Sequence, residues 1–217
     1  MTPPPTRAPD MHERLAAQAP RTWQRMLSGR KLNLINPSPM DIEIEDIALG
    51  LARNTRWNGQ TSGEHGWSVA QHSVLVTQLV TQLAPKRATA ALRMTALLHD
   101  ASEYVTHDLI TPLKAAVGDV FREVEDRLTA AVNIRFGLPG QTAPDDKKLI
   151  KRADRISAAT EAVQLAGFQP EELKSVLGIP EKPLEGLVLV PLAAREAEAE
   201  FLQEFKRIDT ALRLEQR

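Results

Sequence analysis

From Glu45 to Leu212 the apolar residues recur three or four positions apart, and nowhere do they alternate for long. That spacing is the period of a helix with one buried face, and it leaves no material for a large sheet or a βαβ rhythm. A first helix is predicted from about Glu45 to Asn54, carried by Ile47 and Leu51 and ending near Arg56, Trp57, Asn58 and Gly59. Ser68 with Gln71 three positions on is a capping-box pattern, so a second helix should start there and run through Val76, Leu79 and Leu83. Pro85 is expected to open a third, reading through Leu92 and Leu98 to about Glu103. Thr111-Pro112 should open a long fourth, from Leu113 to Val132, stopped by Gly137, Pro139 and Gly140. Thr142 with Asp145 suggests another cap before a helix holding Leu149, Ile150, Ala153, Ile156 and Val163. Positions 178–186 read as a loop, 187–190 as a short strand or buried chain, and Pro191 as the start of the last helix. A short helical pattern also runs from Met11 to Leu27. The fold class is therefore all-α: six to eight helices in a single bundle-like domain.

The chain has 217 residues and 42% hydrophobic content, enough for one domain with a sizeable core. Residues 1–10, with Pro3, Pro4, Pro5 and Pro9, are expected to be extended or disordered, leaving 11–217 as the domain. The absence of cysteine excludes a disulfide framework, a thiolate zinc site and a cysteine nucleophile. A net charge of −1 argues against a duplex nucleic-acid binder, which would carry a basic excess. No apolar run approaches the ~18–20 residues of a membrane span, and the N-terminal stretch lacks the apolar core of a secretory signal. A cytoplasmic enzyme is the expectation.

Four of the five histidines fall between positions 65 and 107. His72 lies one turn into its helix, His99 and Asp100 are adjacent, and Asp154 sits on a third helix. Singly, each reads as a surface or satisfied core residue. Together they read differently. The run Leu97-Leu98-His99-Asp100 places a charge directly after buried-type residues, where it needs a partner. Two imidazoles and two carboxylates suit one divalent transition metal, with manganese, iron, cobalt, nickel and zinc all admissible. Glu103, three and four positions after that pair, would share their helical face as a general acid or base.

These segments resemble the HD-domain metal-dependent phosphohydrolases. The resemblance rests on Val69-Ala70-Gln71-His72-Ser73, on His99-Asp100-Ala101-Ser102-Glu103 and on Lys151-Arg152-Ala153-Asp154, in the order of the H…HD…D signature. The stretch from Asp41 to Ala48, the pair Arg56-Trp57, and Asp108 to Lys114 are similar to the 5′-deoxynucleotidase branch and its phage-type relatives. Together they span about residues 30–165, with a metal-site core of about 41–165. The resemblance implies that His72, His99, Asp100 and Asp154 ligate the metal and that Glu103 is catalytic. It implies that Arg56 grips the phosphate, Trp57 packs near sugar or base, and Asp108 bonds the sugar 3′-hydroxyl. Lys151 and Lys114 would meet the phosphate. A loop from Gln60 to Trp67, with an extra His65, and a His107 where a small residue is expected both depart from shorter members.

The implied reaction is hydrolysis of a nucleotide 5′-phosphate, with deoxynucleoside monophosphates first and deoxynucleoside triphosphates, releasing triphosphate, second. An alarmone hydrolase fits less well, because Tyr104 follows Glu103 where a second acid would stand. Two rival readings are a silent nucleotide sensor on the same fold and a plain helical interaction module. A homodimer is a fold-level expectation.

Overall fold

A computed structural model describes residues 21–215. The Pro-rich residues 1–10 and most of the Met11–Leu27 pattern lie outside them. Of that pattern, Trp23–Arg25 forms a strand (β1), paired antiparallel with Lys31–Asn33 (β2) and not helical. The two strands are three residues each, too short to leave an alternating signal in the sequence.

The helices follow in order: α1 Ile44–Arg53, α2 Val69–Leu83, α3 Ala90–Leu97, α4 Glu103–Thr106, α5 Thr111–Val117, α6 Asp119–Arg135, α7 Pro144–Gln164, α8 Glu172–Ser175 and α9 Ala194–Glu215. The long α9 packs on α1, α2 and α3, and α7 packs on α2. The main core lies between α1, α2, α3 and α9, with Ile47, Leu51, Leu97, Leu98, Phe201 and Ile208 fully buried. A second cluster, including Val76, Leu79, Ala96 and Ala153, joins α2 to α3 and α7. None of the described helices is long and apolar enough to cross a membrane.

Helix ends show where local chemistry decides. Ser68 caps α2, its hydroxyl accepting from the Gln71 amide at 3.2 Å. The Gln71 side chain does not close the box. It accepts from Leu192 N at 3.1 Å and donates to Val190 O at 3.0 Å, fastening the 187–192 strap along α2. Gln164 does the same for Leu187 O and Leu189 N. That strap is neither strand nor buried throughout: Leu189 is buried and Val188 exposed.

Pro85 does not begin α3. Thr89, a good hydroxyl cap, accepts from Leu92 N and sets the start at Ala90. The expected Leu113–Val132 helix is two helices, because Gly118 adopts φ 79, a left-handed conformation that glycine takes without strain. Likewise Thr142 does not cap α7; Ala143 precedes it and Pro144 occupies its first turn.

Candidate metal centre

The expected run of helix through His99 to Glu103 is interrupted. α3 ends at Leu97, and Leu98 to Ser102 form turns before α4 begins at Glu103. This break lets His99 and Asp100 leave the helical spiral and turn toward α2. His72, fully buried on α2, faces them, with ring centroids of His72 and His99 5.3 Å apart. His72, His99 and Asp100 form a group whose ligating atoms lie within 4.8 Å of one another, which could hold a metal ion. Asp154 on α7 stands at the edge of this group, its Oδ1 3.4 Å from His72 Nε2 and its Oδ2 accepting from Lys151 Nζ at 2.7 Å.

The nitrogen chemistry tests the fit to a cation. His99 Nδ1 lies 2.8 Å from the Ala96 carbonyl, which can only accept, so that nitrogen carries the proton. His72 Nδ1 lies 2.6 Å from Glu161 Oε1, again an acceptor. With the rings neutral, as metal ligands are, both Nε2 atoms have bare lone pairs. Without a cation, burial and the Arg56 charge oppose protonation of His72, but Glu161 and Asp154 outweigh them and raise it to about 9. The two Nε2 atoms are buried and, among the described residues, have no hydrogen-bond partner. Their shared polar neighbour is Asp100 Oδ2, at 3.6 Å from His72 and 3.2 Å from His99, and Asp154 Oδ1 adds a second to His72 at 3.4 Å. Two lone pairs and a carboxylate facing one another repel unless a proton or a cation stands among them, and a divalent metal that displaces the proton suits this donor set.

The charges around the centre are perturbed accordingly. Burial opposes ionisation of Asp100, but His99 and His72 hold it well below the carboxylate range. Asp154 is also held low against burial, by His72, His99 and Lys151. Glu103 goes the other way. Burial, then the Asp100 and Asp108 charges, push it up to about 8, against the pull of Lys114 and Arg56. Its Oε1 accepts from Lys114 Nζ at 3.1 Å, and its Oε2 is buried without a partner among the described residues.

Arg56 and Trp57 sit in a tight 3-10 turn after α1. Paired backbone fixes this turn: Arg56 N donates to Trp67 O and Val69 N donates to Asn54 O. The long 60–67 loop, with His65, therefore projects from a closed neck. Arg56 reaches three carboxylates, donating from Nε to Glu161 Oε2 at 2.7 Å, with Nη1 3.6 Å from Asp108 and 3.9 Å from Asp100. Burial works against its charge, but Glu161 and these aspartates outweigh burial and hold the guanidinium ionised. Trp57 donates from Nε1 to Glu161 Oε2 at 3.0 Å and packs on Phe168.

Among the described residues, the non-glycine positions with positive φ are Trp57, Asn58 and His107. Each is a chain neighbour of a residue that contacts Glu161 or Arg56: Asn58 of Trp57, His107 of Asp108, and Trp57 of Arg56. His107, at φ 64, occupies a conformation that favours glycine, which accounts for the expectation of a small residue there. Of the two lysines, Lys114 is tied to Glu103 and Glu125, and Lys151, largely exposed, to Asp154.

Sequence reasoning missed Glu161 and Ser157. Ser157 and Glu161 follow Asp154 by three and seven positions, one face of α7, and both are fully buried. A polar row at that spacing amid alanines was the available signal.

A helical domain that gathers His72, His99-Asp100 and Asp154 in this order is of the HD-domain phosphohydrolase class. A family model described as 5′-deoxynucleotidase YfbR-like matches residues 49–176, more than half the chain, and the chain belongs to this family. It is 54% identical over 164 residues to an uncharacterized protein of Rhodobacter capsulatus, covering 76% of this chain and 83% of that relative. It is 36% identical over 182 residues to the uncharacterized protein YfdR of Escherichia coli strain K12, covering 83% of this chain and 92% of that relative. Membership implies a hydrolase with a divalent metal.

Proposed function

We propose that residues 11–217 form one phosphohydrolase domain that removes the 5′-phosphate of deoxynucleoside monophosphates. The observation that carries the reading is the pair of buried, unpartnered Nε2 atoms of His72 and His99 facing Asp100. His72, His99, Asp100 and Asp154 would hold the metal. A divalent ion there supplies Lewis-acid activation of a phosphoryl oxygen and of water.

The chain's own groups do the rest. Arg56 is largely buried, permanently charged, and has Nε occupied by Glu161, which leaves its Nη1, on the side of Asp108 and Asp100, to meet an incoming phosphate. Glu103, pushed up to about 8, can hold a proton at neutral pH and give or take it at its free Oε2. Asp108, 3.6 Å from Arg56 Nη1, would accept a sugar 3′-hydroxyl and crowd a 2′-hydroxyl. Trp57 would border the nucleoside. Lys114 orients Glu103 more directly than it could meet phosphate, whereas Lys151 at the exposed rim remains available to it.

Release of triphosphate from deoxynucleoside triphosphates is the second reading, favoured by the exposed Lys151 and the long 60–67 loop at the mouth. Product analysis on deoxynucleoside mono- and triphosphates with each candidate metal separates them. The reading expects inorganic phosphate and deoxynucleoside; triphosphate as the sole product would replace it with the second, and no turnover with any metal would leave a silent nucleotide sensor.

A further inference from the structure

Glu161 is a fully buried carboxylate that belongs to no motif of the H…HD…D signature. Every strong donor around it comes from the site. Oε1 accepts from His72 Nδ1 at 2.6 Å and from Ser157 Oγ at 2.8 Å. Oε2 accepts from Arg56 Nε at 2.7 Å and Trp57 Nε1 at 3.0 Å. The two oxygens are thus divided, one toward the metal side and one toward the phosphate side. A carboxylate behind a ligating imidazole fixes its tautomer and ring orientation and raises its basicity, and its loss typically costs ~10–100-fold in metal affinity.

We propose that Glu161 is a positioning residue that locks His72 in the metal-ligating tautomer through Oε1 while holding Arg56 toward the phosphate and Trp57 toward the nucleoside through Oε2. The proposal rests on the reading of His72 as a metal ligand and Arg56 as a phosphate contact. It adds that one buried carboxylate sets both, so that metal and phosphate affinity share an anchor.

The isosteric Glu161→Gln variant gives a one-sided signature. The amide has a single acceptor oxygen and an NH2 group that must face one side or the other. Arg56 and Trp57 cannot give up their protons, so the oxygen stays with them. His72 can change tautomer, so the NH2 group turns to His72 Nδ1, which becomes the acceptor. The ring proton then moves to Nε2, the nitrogen that should bind the metal.

The experiment is a competition titration of cobalt(II) against a chromophoric chelator for wild type, Glu161→Gln and His72→Ala, with circular dichroism to verify folding. KM for a deoxynucleoside monophosphate is then measured at saturating metal. Glu161→Gln should lose ~10–100-fold in cobalt affinity, with KM within about twofold of wild type. A merely structural role predicts a lower melting temperature with unchanged cobalt affinity, and that result overturns the proposal. If His72→Ala also keeps the metal, the ligand assignment itself has failed. If His72→Ala loses it and Glu161→Gln does not, only the tie has failed. Nitrogen-15 NMR of the zinc-loaded wild type tests the same tie should the variant not fold. A proton on His72 Nδ1 supports it; a proton on Nε2 overturns it.

Discussion

Gly50→Ala converts the packing of the site into a measurement. Gly50 lies on α1 against α4, and a Cβ there would sit 2.7 Å from both the Tyr104 Cβ and its carbonyl oxygen, and 3.0 Å from Tyr104 Cα. Ordinary carbon contacts need roughly 3.5–4.0 Å, so α4 must retreat by about 1 Å. The obstacle is mostly backbone and cannot be relieved by a rotamer change. Alanine gains roughly 0.5–1 kcal/mol over glycine in a helix, but forced overpacking costs about 1–3 kcal/mol, so the net effect is destabilising. At ~2–4 °C per kcal/mol for a chain of this size, the melting temperature should fall by a few degrees. Activity should fall further. Glu103 is the residue before Tyr104, and Asn54, the cap that ends α1 four positions after Gly50, donates to the Glu103 carbonyl at 3.3 Å. A misplacement near 1 Å can cost ~10²-fold in rate. The assays are a thermal melt and kcat at saturating metal. A variant as stable as wild type with unchanged kcat would refute the argument that α1 sets the position of Glu103.

Glu103→Ala should keep its metal and its fold and lose ~10²–10⁴-fold in kcat, which elemental analysis and phosphate-release kinetics would check. Asp108→Ala should narrow the preference for a deoxynucleotide over the ribonucleotide of the same base, by losing kcat/KM on the deoxy substrate; an unchanged ratio moves selectivity to Trp57 or the 60–67 loop. Gly118→Ala should destabilise, because a left-handed φ of 79 strains an L side chain, with a melting temperature at or above wild type counting against it.

What was legible in the sequence was what is local. The Ser68 hydroxyl caps α2 as its spacing to Gln71 implied, and the apolar stripes marked the helices that form the core. His72, His99 and Asp100 stood out because polar residues interrupt those stripes, and the fold brings them together. Glu161 did not stand out, because its partners His72 and Arg56 lie 89 and 105 positions away and only the packing of α7 on α2 unites them. The Lys114 to Glu103 pair was equally invisible while α5 and α6 read as one helix, since Gly118 inside an apolar stripe resembles a tolerated interruption. The turn at Leu98 to Ser102 was hidden for the opposite reason: it contains no glycine or proline to mark a break between Leu97 and Glu103.

On the proposed reading, His72, His99, Asp100 and Asp154 hold a metal on which hydrolysis depends. The most direct test is inorganic phosphate release from a deoxynucleoside monophosphate by wild-type protein, before chelation, after chelation and dialysis, and after manganese or cobalt is restored. About one metal per chain is expected at the start. Phosphate release should be lost with the metal, and both should recover on restoration. A rate that survives complete removal of the metal would contradict that reading.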